Sequence, residues 1–464
     1  MADRRRPRRQ APAPDARALA WDILQRVEAG AYADALLGHR LRSSGLGALD
    51  QALATRLVYG TLTWQAHLDF VISAFARRAP EQLDPPVRAV LRLALFQICH
   101  LSKIPAFAAV DTAVQLAKRY RGGAAVSFVN AVLRRAATGW RTVPLPSRES
   151  DPLGHVAIAS SHPRWLVEQW AAAYGLEETE QLLRANNEPA PTVLRVNRLR
   201  TDRDVLLAQL HAAGHTAEAT VYSPDGIVVR GGGGPENLPG YRDGLFSLQG
   251  EASQLIACLL DAQPGQRLLD ACASPGGKST HLAELSNNHA EIVALDAAAK
   301  GIERTAAMAV RLGITTIYAQ VADALTWQDN CAAGQNDGGF DGVLLDAPCS
   351  GFGTLRAHPE VKWRRTADDV TELAGLQARL LRRVAEHVKP GGKLVYATCT
   401  VTAAENDDNL VAFLRDRPDF HLDDPRPSLP EAARGLVSDD RLLRTFPHRQ
   451  GLDGFFAARL RRQG

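Results

Sequence analysis

The chain is 464 residues long, 45% hydrophobic and 23% charged, enough for two to four folded domains at about 100–200 residues each and incompatible with disorder throughout. Its 37 glycines and 26 prolines follow no three-residue period, which excludes a collagen-like rod, and no run of 18 or more apolar residues is present to span a bilayer. The net charge of +3 conceals an asymmetry: residues 1–150 carry 22 basic and 11 acidic side chains, whereas the remainder carries 32 and 40. A basic N-terminal part joined to an acidic remainder suits a polyanionic partner docked at one end, because Lys and Arg displace counterions from phosphates.

The first twenty residues open on basic side chains but contain no apolar h-region, so the reading is a cytoplasmic protein without a membrane partner. Residues 1–15, with Arg4, Arg5, Arg6, Arg8 and Arg9 among prolines, predict a disordered basic arm. Residues 16–145 predict an all-α domain. Leu68, Val71, Ile72 and Phe75 recur at helical spacing, as do Val110, Val114 and Ala117, and then Phe128, Val129, Val132 and Leu133. Asp84-Pro85-Pro86 is a helix start, and the turn-rich stretch Gly139–Arg148 is the first linker. Residues 160–245 read as a small α+β module, with strands at Pro191–Val196 and Gly226–Arg230 around a helix near Leu206–Leu210. There Arg195, Arg198, Arg200 and Arg203 form a cluster suited to phosphates or to a solvated face.

From Gln266 the texture becomes buried strands alternating with helices: Arg267–Asp270, Glu291–Asp296, Thr316–Ala319, Gly342–Asp346, Lys393–Ala397 and a closing Phe455–Leu460. This predicts a doubly wound α/β domain over residues 246–464, whose ligands bind at the carboxyl ends of the strands.

The chemistry-bearing residues fall at those ends. Asp270-Ala271-Cys272-Ala273-Ser274-Pro275-Gly276-Gly277-Lys278-Ser279-Thr280 follows a strand and opens a helix, the position of a glycine-rich ligand loop. Its ending imitates a phosphate-binding P-loop, but that motif requires a glycine where Cys272 stands, so a P-loop hydrolase is the weaker reading. Asp296 ends the next strand, where an acid accepts hydrogen bonds from ribose hydroxyls. Asp323 follows the third strand and suits an adenine amino group or a helix cap. The fourth and fifth strands run into Asp346-Ala347-Pro348-Cys349-Ser350-Gly351 and Ala397-Thr398-Cys399-Thr400, which sets two cysteines at adjacent ligand-edge positions. With no CxxC pair and no His–Cys cluster, the six cysteines read as free thiols without a metal; Cys99, Cys258 and Cys331 read as packing residues.

The set DACASPGGKST, DAPCSG and ATCT, in this order and spacing, resembles the RNA cytosine-C5 methyltransferases of the RsmB (Sun/Fmu) family. Phe246–Ser253 is similar to that family's lead-in to the catalytic sheet. Val110–Val114 and Phe128–Arg135 resemble a NusB-like RNA-binding domain. The resemblance implies three parts: a NusB-like all-α domain, a small α+β RNA-binding module and a C-terminal Rossmann-like methyltransferase domain. It implies S-adenosyl-L-methionine as cofactor, held by Cys272, Ala273, Ser274, Pro275, Gly276, Gly277, Lys278, Asp296, Asp323 and Asp346. It implies 16S ribosomal RNA as partner, free or in a partly assembled small subunit, and 5-methylcytidine as product.

Cytosine C5 is a poor nucleophile and becomes enamine-like only after a covalent bond forms at C6, a task for a thiolate. Pattern alone leaves Cys349 and Cys399 interchangeable; resemblance to the RNA enzymes assigns Cys399 as nucleophile, Cys349 to product release and Asp346 to orienting or protonating the base. Ala357, Glu360 and Thr400 depart from the family's usual residues. A monomer is expected, and the rival to catalysis is an RNA-binding assembly factor.

Overall fold

The computed structural model describes residues 15–120, 123–231, 234–329 and 339–464. The expected basic arm, as far as Pro14, lies outside the described residues, as does Cys331. The chain divides into two compact units, Met1–Arg164 and Trp165–Gly464.

Within the described residues the first unit is all helical. Asp15 opens it by accepting a 2.9 Å hydrogen bond from the Arg17 amide, one of the amides a helix start leaves without a partner. The helix Pro85–His100 begins at the expected prolines and forms the centre of the unit. Its Val90, Leu91, Leu93 and Leu95 pack with Ile23, Leu57, Ile72, Val129 and Leu133 from neighbouring helices. The helix Ala48–Thr63 approaches it so closely that a Cβ on Gly60 would overlap the Phe96 ring.

The second unit contains two sheets. β1 (Thr192–Val196), β2 (Thr216–Ala219), β3 (Gly226–Arg230) and β4 (Phe246–Leu248) form an antiparallel sheet in the order β2-β3-β1-β4. Its apolar face, Leu194, Val196, Ile227, Val229 and Phe246, buries Leu206 and Leu210 of the helix Arg203–Ala212. The β1–helix–β3 part of this module matches the expectation; β2 and β4 are additions, too short to show a period.

The larger sheet has eight strands: β5 (Arg267–Asp270), β6 (Glu291–Asp296), β7 (Ile317–Val321), β8 (Phe340–Asp346), β9 (Val388–Thr398), β10 (Phe420–Leu422), β11 (Leu442–Thr445) and β12 (Phe455–Arg462). The order β10-β12-β9-β8-β5-β6-β7 is parallel from β9 to β7, and β12 joins antiparallel to β9. Successive residues serve opposite faces: Leu268, Ile292 and Leu344 pack into one apolar cluster, Leu269, Val293, Val343 and Leu345 into the other. The final strand is therefore not the edge, since β10 and β11 both pair with β12. The order reverses between β5 and β8, and such a switch point opens a crevice at the carboxyl ends of the strands.

Burial corrects the expected basic cluster at Arg195, while Arg198 and Arg200 are exposed. Arg195 is 0% exposed. Its guanidinium donates to both oxygens of Glu284 (2.8 and 3.1 Å), to Thr280 Oγ1 (3.0 Å), to the Gly277 carbonyl (2.5 Å) and to Gln249 Oε1. Alternation along β1 turns Leu194 and Val196 to the helix Arg203–Ala212 and Arg195 to the opposite face, which the helix Gly277–Leu285 covers. Arg200 and Arg203 donate to the backbone carbonyls of Asp243 and Ser223. Arg198 is half exposed, 3.7 Å from Asp225.

Two outcomes follow. Gly60→Ala overpacks the helix contact and lowers the unfolding free energy by about 1–3 kcal/mol, read by denaturant titration. Glu284→Gln strands a buried guanidinium and costs about 3–5 kcal/mol, whereas the double change Arg195→Met with Glu284→Leu costs markedly less; equal costs in the same titration would contradict a paired charge at this position.

Candidate active site

The glycine-rich loop leaves β5 at Asp270. Its backbone is tied to both neighbouring strands, with the Ala271 amide donating to Leu344 O (2.9 Å) and the Ala273 amide to Leu295 O (2.8 Å). The chain then turns at Gly276, whose φ of +104° is left-handed and where a Cβ would meet Thr305 Cα at 2.8 Å. The helix Gly277–Leu285 starts immediately, so its first amides border the switch point. Ser279 Oγ donates to Asp270 Oδ2 at 2.6 Å, and burial raises the Asp270 carboxyl to about 6. Ser279 is fully buried, so the Gly-Lys-Ser run braces the strand end, which argues against the P-loop rival.

Asp296 ends β6 and fixes the loop from the other side. Its Oδ2 accepts from the Ser274 amide (3.1 Å) and its Oδ1 from the Ala298 amide (2.8 Å). Each oxygen retains a lone pair for a further donor. Asp323 lies two residues beyond β7 and is exposed. Its Oδ1 accepts from the Leu325 amide (2.9 Å), so it caps a turn with one oxygen.

Lys278 reaches from the helix start to Asp346, the last residue of β8, with Nζ 2.5 Å from Oδ2. Burial alone would lower the ammonium, but the Asp346 carboxylate outweighs it and holds Lys278 above its ordinary value. The same ammonium stands 5.3 Å from the centre of the Phe455 ring.

β8 and β9 are parallel neighbours with Asp346 opposite Ala397, so their following residues emerge side by side. Cys349 Sγ and Cys399 Sγ are 3.3 Å apart, and both cysteines are partly exposed. The Cys349 thiol is held well above its usual range, first by its hydrogen bond to Cys399 and then by burial. Cys399 is anchored by the Gly353 amide, which donates to its carbonyl at 2.9 Å; Gly353 O in turn accepts from the Gly454 amide at 2.8 Å. A Cβ on Gly353 would overlap the Gly454 backbone, so only glycine admits this contact.

The other thiols differ. Burial pushes Cys99 and Cys258 up to about 12 and Cys272 higher still, as suits packing residues. Among the residues expected at the site, the structure joins Lys278 to Asp346, Cys349 to Cys399, and Ser274 to Asp296 by direct contact; Asp323 touches none of them in these contacts. Sequence reasoning missed Gly353, Gln377, Glu405 and Asn406, and it named Ser350, Thr400 and Phe455 only as parts of motifs or strands, with no role at the site. A glutamine on the buried face of an amphipathic helix was the one available signal, at Gln377.

Known proteins match along the chain. Residues 257–461 match the family described as 16S rRNA methyltransferase RsmB/F, residues 14–138 the NusB family, and residues 162–234 the ferredoxin-like domain of RsmF/B-like methyltransferases. The probable ribosomal RNA small subunit methyltransferase B of Bacillus subtilis is 39% identical over 97% of this chain and 99% of its own. Ribosomal RNA small subunit methyltransferase B of Pseudomonas putida is 38% identical over 80% of this chain and 82% of its own. A solved methyltransferase homolog from Pyrococcus horikoshii superposes with a TM-score of 0.56 at 27% identity, covering 68% of this chain and 99% of that one.

The donor set fits S-adenosyl-L-methionine, the cofactor of this family. Asp296 retains acceptor capacity for hydroxyls, and the amides at the start of Gly277–Leu285 together with the Lys278 ammonium suit a carboxylate. The chain belongs to the RsmB/F family of 16S rRNA methyltransferases.

Proposed function

We propose that this protein forms 5-methylcytidine in 16S ribosomal RNA through a covalent Cys399–cytosine adduct. The observation that carries the reading is the pair of thiols 3.3 Å apart at the ends of adjacent parallel strands, next to Asp346. One thiol serves attack, and its neighbour is within reach of the same sulfur for release.

Cys399 Sγ, as thiolate, bonds to C6; the ring electrons move toward N3, which is protonated, and C5 gains enamine character. Asp346, held by Lys278, orients the N3 and amino edge. Bound S-adenosyl-L-methionine supplies an electrophilic methyl group on a sulfonium sulfur. Its holders are the loop Cys272, Ala273, Ser274, Pro275, Gly276, Gly277 and Lys278 together with Asp296, Asp323 and Asp346. After C5 has taken the methyl group, N3 gives up its proton, the C5 proton leaves to a base, the C5–C6 double bond reforms and Cys399 departs as thiolate. Before attack, the hydrogen bond to Cys399 is the main cause that keeps Cys349 protonated.

In this reading residues 16–145 and 160–245 bind RNA and residues 246–464 carry the chemistry. Exposed Lys118, Arg119 and Arg134 support an RNA-facing surface on the helical part. The enzyme acts as a cytoplasmic monomer on free or partly assembled small-subunit RNA, with the target base unstacked to expose C6. Among the described residues no helix is long and apolar enough to cross a membrane.

Wild type, Cys399→Ala and Cys349→Ala are incubated with small-subunit RNA and methyl-labelled cofactor, then analysed by denaturing gel and nucleoside digestion. The expected result is label in 5-methylcytidine for wild type, none for Cys399→Ala, and a protein–RNA adduct that survives denaturation for Cys349→Ala. An adduct in Cys399→Ala and none in Cys349→Ala would exchange the roles of the two thiols. Absence of labelled cytidine with wild type would favour an RNA-binding assembly factor.

A further inference from the structure

Beneath the two cysteine loops lies a polar cluster with no part in the chemistry above. Glu405 is 0% exposed, at the end of the short turn Ala403–Glu405. Its Oε1 accepts from the Ser350 amide (2.7 Å) and from Gln377 Nε2 (3.0 Å), and its Oε2 accepts from Ser350 Oγ (2.6 Å). Gln377, also fully buried, donates to Pro348 O at 2.9 Å. Pro348 and Ser350 flank Cys349.

The next residue does the same for the other cysteine. Asn406 accepts from Thr398 Oγ1 at 2.5 Å and donates to Thr400 O at 3.0 Å. Thr398 and Thr400 flank Cys399. The two halves are bridged by Ser350 Oγ and Thr400 Oγ1, 2.9 Å apart, and Tyr396 donates its hydroxyl proton to the Glu405 carbonyl. We propose that the dipeptide Glu405-Asn406 is a clasp that sets the separation of the two thiols, with Glu405 the positioning residue for Cys349.

The chemistry of the side chain supports this assignment. Burying a carboxylate costs several kcal/mol unless its lone pairs are filled, and apolar packing would serve stability alone at lower cost. A carboxylate offers acceptors on both oxygens, matching three donors that converge from two segments; an amide offers one accepting atom. Glu405→Gln therefore retains the volume and the Oε1 contacts, but turns a donor toward Ser350 Oγ. The Ser350–Thr400 bridge then has to rearrange, while Asn406 continues to hold Cys399.

What the clasp does in turnover rests on the adduct reading above. Glu405→Gln is expected to lower kcat about 10- to 100-fold, the scale of a misplacement near 1 Å, with unchanged affinity for S-adenosyl-L-methionine. A denaturation-resistant RNA adduct accumulates as in Cys349→Ala, because attack survives and release does not. Ser350→Ala, which retains the amide contact and removes no buried charge, gives a smaller loss of kcat with the same adduct. The test compares both variants with Cys349→Ala in single-turnover assays, denaturing gels and cofactor titrations. Wild-type kcat in both variants overturns the clasp, whatever the control gives. Adduct in Cys349→Ala but in neither variant also overturns it, whereas no adduct in Cys349→Ala itself rejects the assignment of release to Cys349. Where Cys349→Ala gives no adduct, lower kcat at unchanged cofactor affinity in both variants still supports the clasp.

Discussion

The arrangement depends on one constraint, the parallel pairing of β8 with β9. Because Asp346 stands opposite Ala397, the chain leaves both strands at the same level, and a cysteine follows three residues after Asp346 and two after Ala397. The 3.3 Å sulfur contact is a product of that register. A parallel pair cannot be joined by a tight turn, so the long helix Ala367–Ala385 must intervene, and it is this crossover that brings Gln377 under the Cys349 loop. The covering element thus supplies part of the support for the site it covers.

Apolar burial and polar contacts divide the work. The two clusters on either face of the large sheet make it a rigid base, while each loop at its edge is held by a buried charged or amide group. From the four-stranded sheet, Arg195 holds the glycine-loop helix at its start through the Gly277 carbonyl and near its end through Glu284, Lys278 joins that helix to the end of β8, and Glu405 with Asn406 joins the exits of β8 and β9. Buried charges are expensive and directional. At these loops they are suited to fixing a geometry rather than to adding stability.

Much of this was legible in the order of residues. The β5, β6, β8 and β9 strands read directly because strands covered on both faces become unbroken apolar runs, and the acids and cysteines at their ends follow from the rule for open α/β sheets. The short strands β2, β4, β10 and β11 escaped because three or four residues give no period. Arg195 was misread for a different reason: an arginine among arginines suggests a surface, and only the packing of the helix Gly277–Leu285 on that face of β1 buries it. Glu405 carries no local signal at all, since its partners Ser350 and Gln377 are 55 and 28 residues away. Contacts of that span exist only after the sheet has formed.

The central claim is the assignment of the nucleophile, and it can be read on the unmodified enzyme. RNA carrying 5-fluorocytidine at the target position replaces the C5 proton by fluorine, which no base can remove as a proton, so the adduct formed after methyl transfer cannot eliminate. Proteolysis and mass spectrometry then locate the nucleotide on one peptide. The account predicts attachment at Cys399, with Cys349 unmodified. Attachment at Cys349 would contradict it, and with it the division of labour between the two strand ends.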